Sequence, residues 1–262
     1  ALVGFGAVIL GYALQVRNGV YDPVARAGAL LAAICVGAGA ARLRGPRGSE
    51  PMVAGVLVAG LLANGLALAS APIAMYLAEP DPASHPAFLA GVGAAVAFGV
   101  LIAADPRRAR RFWFPALLAV YALLGIWLIE MSPRPRIDVL TVFRHALAAL
   151  ARLDSPYSIT FPNIYPDESL YGAGLVVDGQ VQFGFPYPPL SLLMALPADI
   201  LRLDVRYAQL GSLLAAAAWM GACAPGRVPL LAAAALLFTP RTFFVLEQGW
   251  TESMVLCWAA LT

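Results

Sequence analysis

The chain contains no lysine; all 17 of its basic residues are arginine. Only 12% of residues are charged, against roughly 25% in soluble domains. That shortage excludes an ordinary water-soluble globule. The net charge is +2, and the arginines are dispersed along the chain. Nucleic-acid binding, which needs a clustered basic patch, is excluded as a leading reading. There are three cysteines, Cys35, Cys223 and Cys257. Each lies in an apolar segment, and no spacing resembles a metal site or a disulfide framework. They read as small buried hydrophobes. No cleavable signal peptide is evident, and the first apolar segment reads as a retained membrane helix. The start at Ala1 and the stop at Thr262, inside an apolar run, read as part of a longer protein.

What is abundant is apolar sequence: 61% of residues, with a mean hydropathy of +0.77. The fold class is therefore all-α, a polytopic bundle of membrane helices. A span needs about 20 mostly apolar residues to cross about 30 Å of hydrocarbon. Five stretches qualify before residue 132: 1–16, 24–41, 52–77, 87–104 and 112–131. Asn18-Gly19, Gly45-Pro46, Glu79-Pro80-Asp81-Pro82 and Asp105-Pro106 separate them as turns. Gly37, Gly39, Gly91 and Gly93 read as packing residues that let helices approach closely. Four more apolar stretches follow the central loop: 188–203, 207–223, 228–245 and 250–262.

Arginine sets the orientation. Arg42, Arg44 and Arg47 lie in one connection; Arg107, Arg108, Arg110 and Arg111 lie in another. The connection between them holds Glu79 and Asp81 and no arginine. The positive-inside rule places both clusters in the cytoplasm. Arg17 and Arg26 then fall on the outer side, against the rule. Segment 112–131 runs outward, with Phe112, Trp113, Phe114 and Trp127 as interface anchors, so the loop after it is extracytoplasmic.

That loop, 132–187, is the one long polar stretch, and connections are usually far shorter. Its first part, 137–152, has Ile137, Leu140, Phe143, Leu147 and Leu150 at helical spacing. This predicts an amphipathic helix lying in the outer interface. Asp138 falls in its first turn, where the helix dipole favours a carboxylate. Residues 175–183 read as a hairpin turning at Asp178-Gly179. His145 reads as a surface histidine, and Asp167-Glu168 as a turn or helix start. The stretch 188–203 is short and broken by Pro197, and is expected not to cross. It then lies in the outer interface, which brings Arg241, Gln248 and Glu252 to the side of Asp138.

The order of these features resembles a known family. A carboxylate follows an outward helix at once, then comes an amphipathic helix, then Ser155-Pro156-Tyr157. Some 30 residues later comes Tyr187-Pro188-Pro189-Leu190. This resembles the GT-C superfamily of membrane glycosyltransferases, closest to bacterial mannosyl-, arabinosyl- and aminoarabinose-type enzymes. Their pattern is an acid in the first extracytoplasmic loop, a G-x-x-P-Y element and a Y-x-P-P-L element. Here Leu153 or Asp154 stands near where the family often has glycine. The likeness covers about 112–262. It divides the chain into accessory helices, 1–111, and the N-terminal part of a catalytic module, 112–262.

The resemblance implies a polyprenyl-phosphate sugar as donor and an extracytoplasmic glycan, lipid or protein as acceptor. It implies a bacterial plasma membrane location, with the bilayer itself as a partner. By that resemblance Asp138 is the general base. A phosphate leaving group needs little protonation, whereas the acceptor hydroxyl must lose its proton as it attacks. Single displacement would invert the anomeric carbon, following the logic of inverting glycosidases. Arg241 would meet the lipid phosphate, since arginine suits phosphate oxygens, with Arg144 and Arg206 as alternatives. Gln248 and Glu252 would meet sugar hydroxyls, and Tyr157, Tyr165 and Tyr187 would stack on sugar faces. For each tyrosine, interface anchoring is the competing role. The resemblance fixes no cofactor beyond the donor substrate. Asp138 and Glu252 leave room for a divalent cation, but two acids do not define its site. The rival reading is a transporter or flippase of lipid-linked saccharides, which would place charges at mid-membrane between repeats. No internal repeat is visible here.

Overall fold

A computed structural model describes residues 2–15, 21–41 and 49–262. The expected turns at Asn18-Gly19 and Gly45-Pro46 lie outside the described residues, as do Arg17, Arg42, Arg44 and Arg47. The chain is mostly helical. Its helices are α1 (Leu2–Gln15), α2 (Pro23–Ala41), α3 (Glu50–Ser70), α4 (Pro86–Ala104), α5 (Pro106–Arg108), α6 (Phe114–Met131), α7 (Asp138–Ala151), α8 (Pro189–Ile200), α9 (Arg206–Ala222), α10 (Val228–Leu237), α11 (Pro240–Gln248) and α12 (Glu252–Leu261).

Three helical runs are long and apolar enough to cross a membrane: Glu50–Ser70, Pro86–Ala104 and Pro106–Met131. The bent pair α10 and α11 makes a fourth if taken as one span. Of the five stretches expected to span before the loop, three are matched by these runs. Helix α1, with 14 residues, and α2 both adjoin residues outside the described set. Of the cysteines, Cys35 and Cys257 are buried but Cys223 is exposed, just past α9.

Proline explains the departures from the expected boundaries. The stretch 52–77 was read as one span, yet α3 stops at Ser70. Pro72 forces Ala71 out of the helical region, to φ −125°, ψ 156°, because the proline ring clashes with a preceding helical residue. The chain then folds back, and Ile73 N–H bonds to the Pro80 carbonyl at 3.2 Å. Likewise 228–245 is not one straight helix. It bends by 52° between α10 and α11, where Pro240 begins the second helix. Asp105-Pro106 is a helix start rather than a loop. Asp105 Oδ1 caps the Arg108 N–H at 3.3 Å, so Arg107 to Arg111 ride on the first turns of a continuous run. That run passes through a π-helical stretch, Ala109–Trp113, whose end bonds Phe114 N–H to the Ala109 carbonyl. Pro115 follows and has no N–H with which to resume the ordinary pattern.

One hydrophobic core joins α3, α4, α6, α9, α10 and α11, with Leu61, Phe88, Ile102, Leu117, Tyr121, Leu231 and Phe243 at its centre. It runs across residue 111 without a seam, and Asn64 Nδ2 donates to the Ala235 carbonyl at 3.0 Å. A second, smaller core lies at one end. It gathers Leu140, Phe143 and Leu147 of α7, Leu192 and Ala195 of α8, Met254 of α12, and loop residues Phe161, Val181 and Phe185. The amphipathic helix α7 is as expected, with Arg144 and His145 exposed.

The loop also holds a small antiparallel sheet, a departure from a purely helical fold. Its strands are β1 (Phe161–Pro162), β2 (Val176–Val177) and β3 (Gln180–Val181), in the order β1-β3-β2. The hairpin is the expected one, with Val177 opposite Gln180. Asp178 and Gly179 both have positive φ, 49° and 72°, the signature of a type I′ turn. Strand β1 was not anticipated; a two-residue strand leaves no periodicity to read.

Candidate functional site

Helix α8 fixes which residues share an end of the bundle. Tyr187, just before it, stacks on Phe143 at 5.9 Å. Asp204, just after it, pairs with Arg144 at 3.7 Å. Both ends of α8 thus return to neighbouring residues of α7. The helix starts and finishes at one end of the bundle and does not traverse it. Helix α9 consequently runs away from this end, and its far end meets the arginine cluster: Arg110 Nη2 donates to the Ala224 carbonyl at 2.7 Å. Helices α10 and α11 run back. Gly249, after α11, packs so closely on α7 that a Cβ there would lie 2.2 Å from Leu140 Cδ2.

Asp138 sits half-buried at the start of α7. Its Oδ1 accepts from the Val139 N–H at 2.9 Å and from the Tyr165 hydroxyl at 3.2 Å. The Tyr165 oxygen in turn accepts from the Asp138 N–H at 3.4 Å. The Tyr171 hydroxyl acts on the same carboxylate from close by.

Three further phenols lie in the field of this carboxylate. Tyr187 is pushed up to about 12, first by burial, then by Asp138 and Glu252. Burial first, then Asp138, raises Tyr171 well above the ordinary phenol range. Tyr76 is raised by burial, then by Glu247, with a smaller part from Asp138. Tyr165 is raised too, chiefly by burial. At neutral pH all four are protonated donors. The Tyr171 hydroxyl is buried and lies close enough to the Asp138 carboxylate to act on it. Its ring lies 6.0 Å from that of Tyr165 and 5.9 Å from that of Phe183.

A buried polar network stands beneath this surface. The Glu247 side chain, fully buried, accepts from the backbone N–H groups of Met75 and Tyr76, both at 2.7 Å. Gln248 Nε2 donates to the same carboxylate at 2.9 Å. The Tyr76 hydroxyl donates to the Arg136 carbonyl at 2.8 Å, two residues before Asp138. Arg206 is also fully buried. It grips Asp204 with Nε at 3.0 Å and Nη2 at 3.1 Å, and reaches Ser132 Oγ at 3.0 Å and the Glu247 carbonyl at 3.5 Å.

The residues singled out from sequence therefore divide. Asp138, Tyr165, Tyr187 and Glu252 come together, since Tyr187 feels both carboxylates. Tyr157 is at the rim; its hydroxyl donates to the Tyr187 carbonyl at 3.3 Å. Gln248 is buried, and its amide is engaged by Glu247. Arg241 lies under the aromatic faces of Phe244, at 4.1 Å, and Trp250, at 5.3 Å. Its Nη1 is buried with no hydrogen bond, and Glu252 is the charge that acts on it. Arg144 and Arg206, the alternatives, are both engaged with Asp204. His145 is exposed, its Nδ1 within 2.9 Å of the Thr141 carbonyl of its own helix.

Tyr76 and Tyr171 have structural places here that the sequence did not announce, and Arg206, an alternative for the lipid phosphate, is instead engaged by Asp204 and Ser132. Tyr76 was hidden inside an apparent span. Among the described residues no group of three or more metal-ligating side chains is present. Comparison with family models, with curated proteins and with solved structures finds no match to this chain.

Proposed function

We propose that the chain carries the acceptor-activating part of an integral membrane glycosyltransferase of the GT-C kind. The donor is a polyprenyl-phosphate sugar, and Asp138 is the general base. One observation carries this reading: a half-buried carboxylate whose Oδ1 is held by the Val139 N–H and the Tyr165 hydroxyl, in the field of three further protonated phenols. Aromatic faces with phenol donors suit a hydroxylated ring, and a held carboxylate suits a proton in transfer.

Two further features support it. Arg241 offers a guanidinium N–H without a partner, suited to a phosphate oxygen. An apolar groove of about 350 Å³ between α8 and α12, lined by Met194, Met254, Val255 and Trp258, opens next to Tyr187 and Glu252. An isoprenoid chain fits that lining. Leu153 bears on the likeness itself. It has φ +63°, a conformation that favours glycine, and it stands near where the family often has one. The positive-inside rule puts this end outside the cytoplasm, because Arg107, Arg108, Arg110 and Arg111 begin the run that leads to it.

The test is transfer from polyprenyl-phosphate mannose, arabinose or aminoarabinose, each radiolabelled, by purified full-length protein. Asp138→Asn is expected to lower turnover by about 10²–10⁴-fold, the usual effect of removing a general base, with melting unchanged. Near-normal turnover of Asp138→Asn would reject Asp138 as the base, whereas no transfer by the unaltered protein from any of the three donors would reject the enzyme and favour the transporter.

A further inference from the structure

The chain reaches Asp138 through Ser132-Pro133-Arg134-Pro135-Arg136-Ile137. Two prolines fix two φ angles in this lead, and each also restrains the residue before it. The lead is stiff, so whatever holds its two ends sets where α7 begins and where its first carboxylate stands.

One end is Ser132. Its Oγ donates to the Leu128 carbonyl at 2.8 Å and accepts from Arg206 Nη1 at 3.0 Å. The other end is the Arg136 carbonyl, which accepts from the Tyr76 hydroxyl at 2.8 Å. The two holders are themselves joined through Glu247. Its carbonyl accepts from Arg206 Nη1 at 3.5 Å. Its carboxylate takes the Met75 N–H on one oxygen and the Tyr76 N–H on the other, both at 2.7 Å. Hydrogen bonds therefore close a ring: from Arg206 to Ser132, along the lead to Arg136, across to Tyr76, through Glu247 and back to Arg206.

Tyr76 is held by more than this ring. The Ile73 N–H bonds to the Pro80 carbonyl at 3.2 Å and closes the turn that carries it. Ile73, Ala74 and Leu77 of that turn are buried in the first core, and Tyr76 itself packs against the second. A side chain gripped from behind in this way can hold what lies in front of it, and Asp138 is two residues from its point of contact.

We infer that Tyr76 is a positioning residue for Asp138, and that the turn between α3 and α4 belongs to the reacting site. This rests on the glycosyltransferase reading above. Tyr76 fixes the main chain from which the base projects, without touching the substrates. Glu247 acts one step further back, through the turn. Its carboxylate is occupied by Met75, Tyr76 and Gln248, so it serves as a strut and not as a second base. The stretch 1–111, which the resemblance sets aside as accessory, thus supplies a residue on which turnover depends.

Tyr76→Phe removes one oxygen and leaves the ring to pack. In the full-length protein it is expected to lower kcat by about 10-fold, less than the roughly 10²-fold that a misplacement of about 1 Å can cost, with donor and acceptor KM unchanged. In an Asp138→Asn background it should change the residual rate by no more than about 2-fold, because residues that act as a unit are not additive. A merely structural role lowers both rates alike, so equal factors in the two backgrounds overturn the inference. So does a normal kcat in Tyr76→Phe beside a slow Asp138→Asn. Should Tyr76→Phe fail to fold, Glu247→Gln carries the same comparison, since it keeps the phenol and loosens the turn behind it. Its effect should likewise vanish with Asp138→Asn, and an effect of equal size there overturns the inference. All of these results leave the glycosyltransferase reading standing. Near-normal turnover by Asp138→Asn alone removes Asp138 as the base, and the inference with it.

Discussion

At the end that carries Arg107 to Arg111, segments are joined by few contacts, from exposed or partly buried arginines. Arg110 reaches the Ala224 carbonyl, and Arg227 reaches Glu50 at 3.4 Å and the Ala103 carbonyl. At the other end, the fully buried Arg206 and Glu247 each bind several partners. Arg206 ties the end of α6 to the start of α9, and Glu247 ties α11 to the turn after α3. The first end needs only to anchor helices at a surface. The second has to hold the loop that carries Asp138, and it contains the second hydrophobic core as well. The contrast teaches where this chain keeps its specific geometry: not in the long helices but in the layer that caps them.

Removing one arginine from each end breaks the comparison most strongly. Arg206→Ala leaves the half-buried Asp204 with only the exposed Arg144 at 3.7 Å and Ser132 without a donor. Breaking a buried pair this way costs about 3–5 kcal/mol. Arg110→Ala removes one exposed contact, and surface changes of that kind stay within about 0.5 kcal/mol. Unfolding in mixed micelles should show the two variants well apart. Equal losses would mean that the ends are alike and that the network contributes little.

Much of the capping layer was legible, and the reasons are local. Helix α7 has an unbroken apolar stripe, the Asp178-Gly179 turn has its own chemistry, and α8 is too short to cross. The prolines at 72 and 240 carried the true ends of α3 and α10, but the hydropathy of 52–77 and 228–245 masked them. The remainder was not legible because it is made at long range. Glu247 finds Met75 and Tyr76 172 and 171 residues away, and nothing near either partner announces the other. Gln248 looked like a sugar ligand for the same reason: its burial depends on segments remote in sequence. Tyr171 carried no more signal than any other loop tyrosine until the sheet placed it.

Gly249 sharpens the comparison at a smaller scale, because it is where α11 meets α7. It has φ +69°, and a Cβ there would meet Leu140. Gly249→Ala should cost about 1–2 kcal/mol for the left-handed conformation and about 1–3 kcal/mol for overpacking. Leu140 is only 2% exposed, so Leu140→Ala alone should cost about 2–5 kcal/mol. The double variant should lose less than the sum of the singles, by roughly the overpacking share. Strict additivity in the same unfolding measurement would mean that the two residues do not touch.

The gentlest probe alters neither stability nor chemistry and asks whether the two ends face different compartments. The run 106–131 has 26 residues, about 39 Å of helix at about 1.5 Å per residue. That exceeds the roughly 30 Å of a hydrocarbon core, enough for a crossing helix to bring its ends out on opposite sides. Cys223 is exposed beside Ala224, to which Arg110 bonds, and reports on the arginine end. Leu153 is 94% exposed, just past α7, and Leu153→Cys in a Cys223→Ser background reports on the other. With an impermeant thiol reagent and intact cells, Leu153→Cys should label, while the native Cys223 should label only after lysis. Equal labelling of both would place the two ends on one side and dissolve the comparison. The reverse pattern would put Asp138 in the cytoplasm, against the arginine bias, and would remove the extracytoplasmic lipid donor on which the proposed reaction depends.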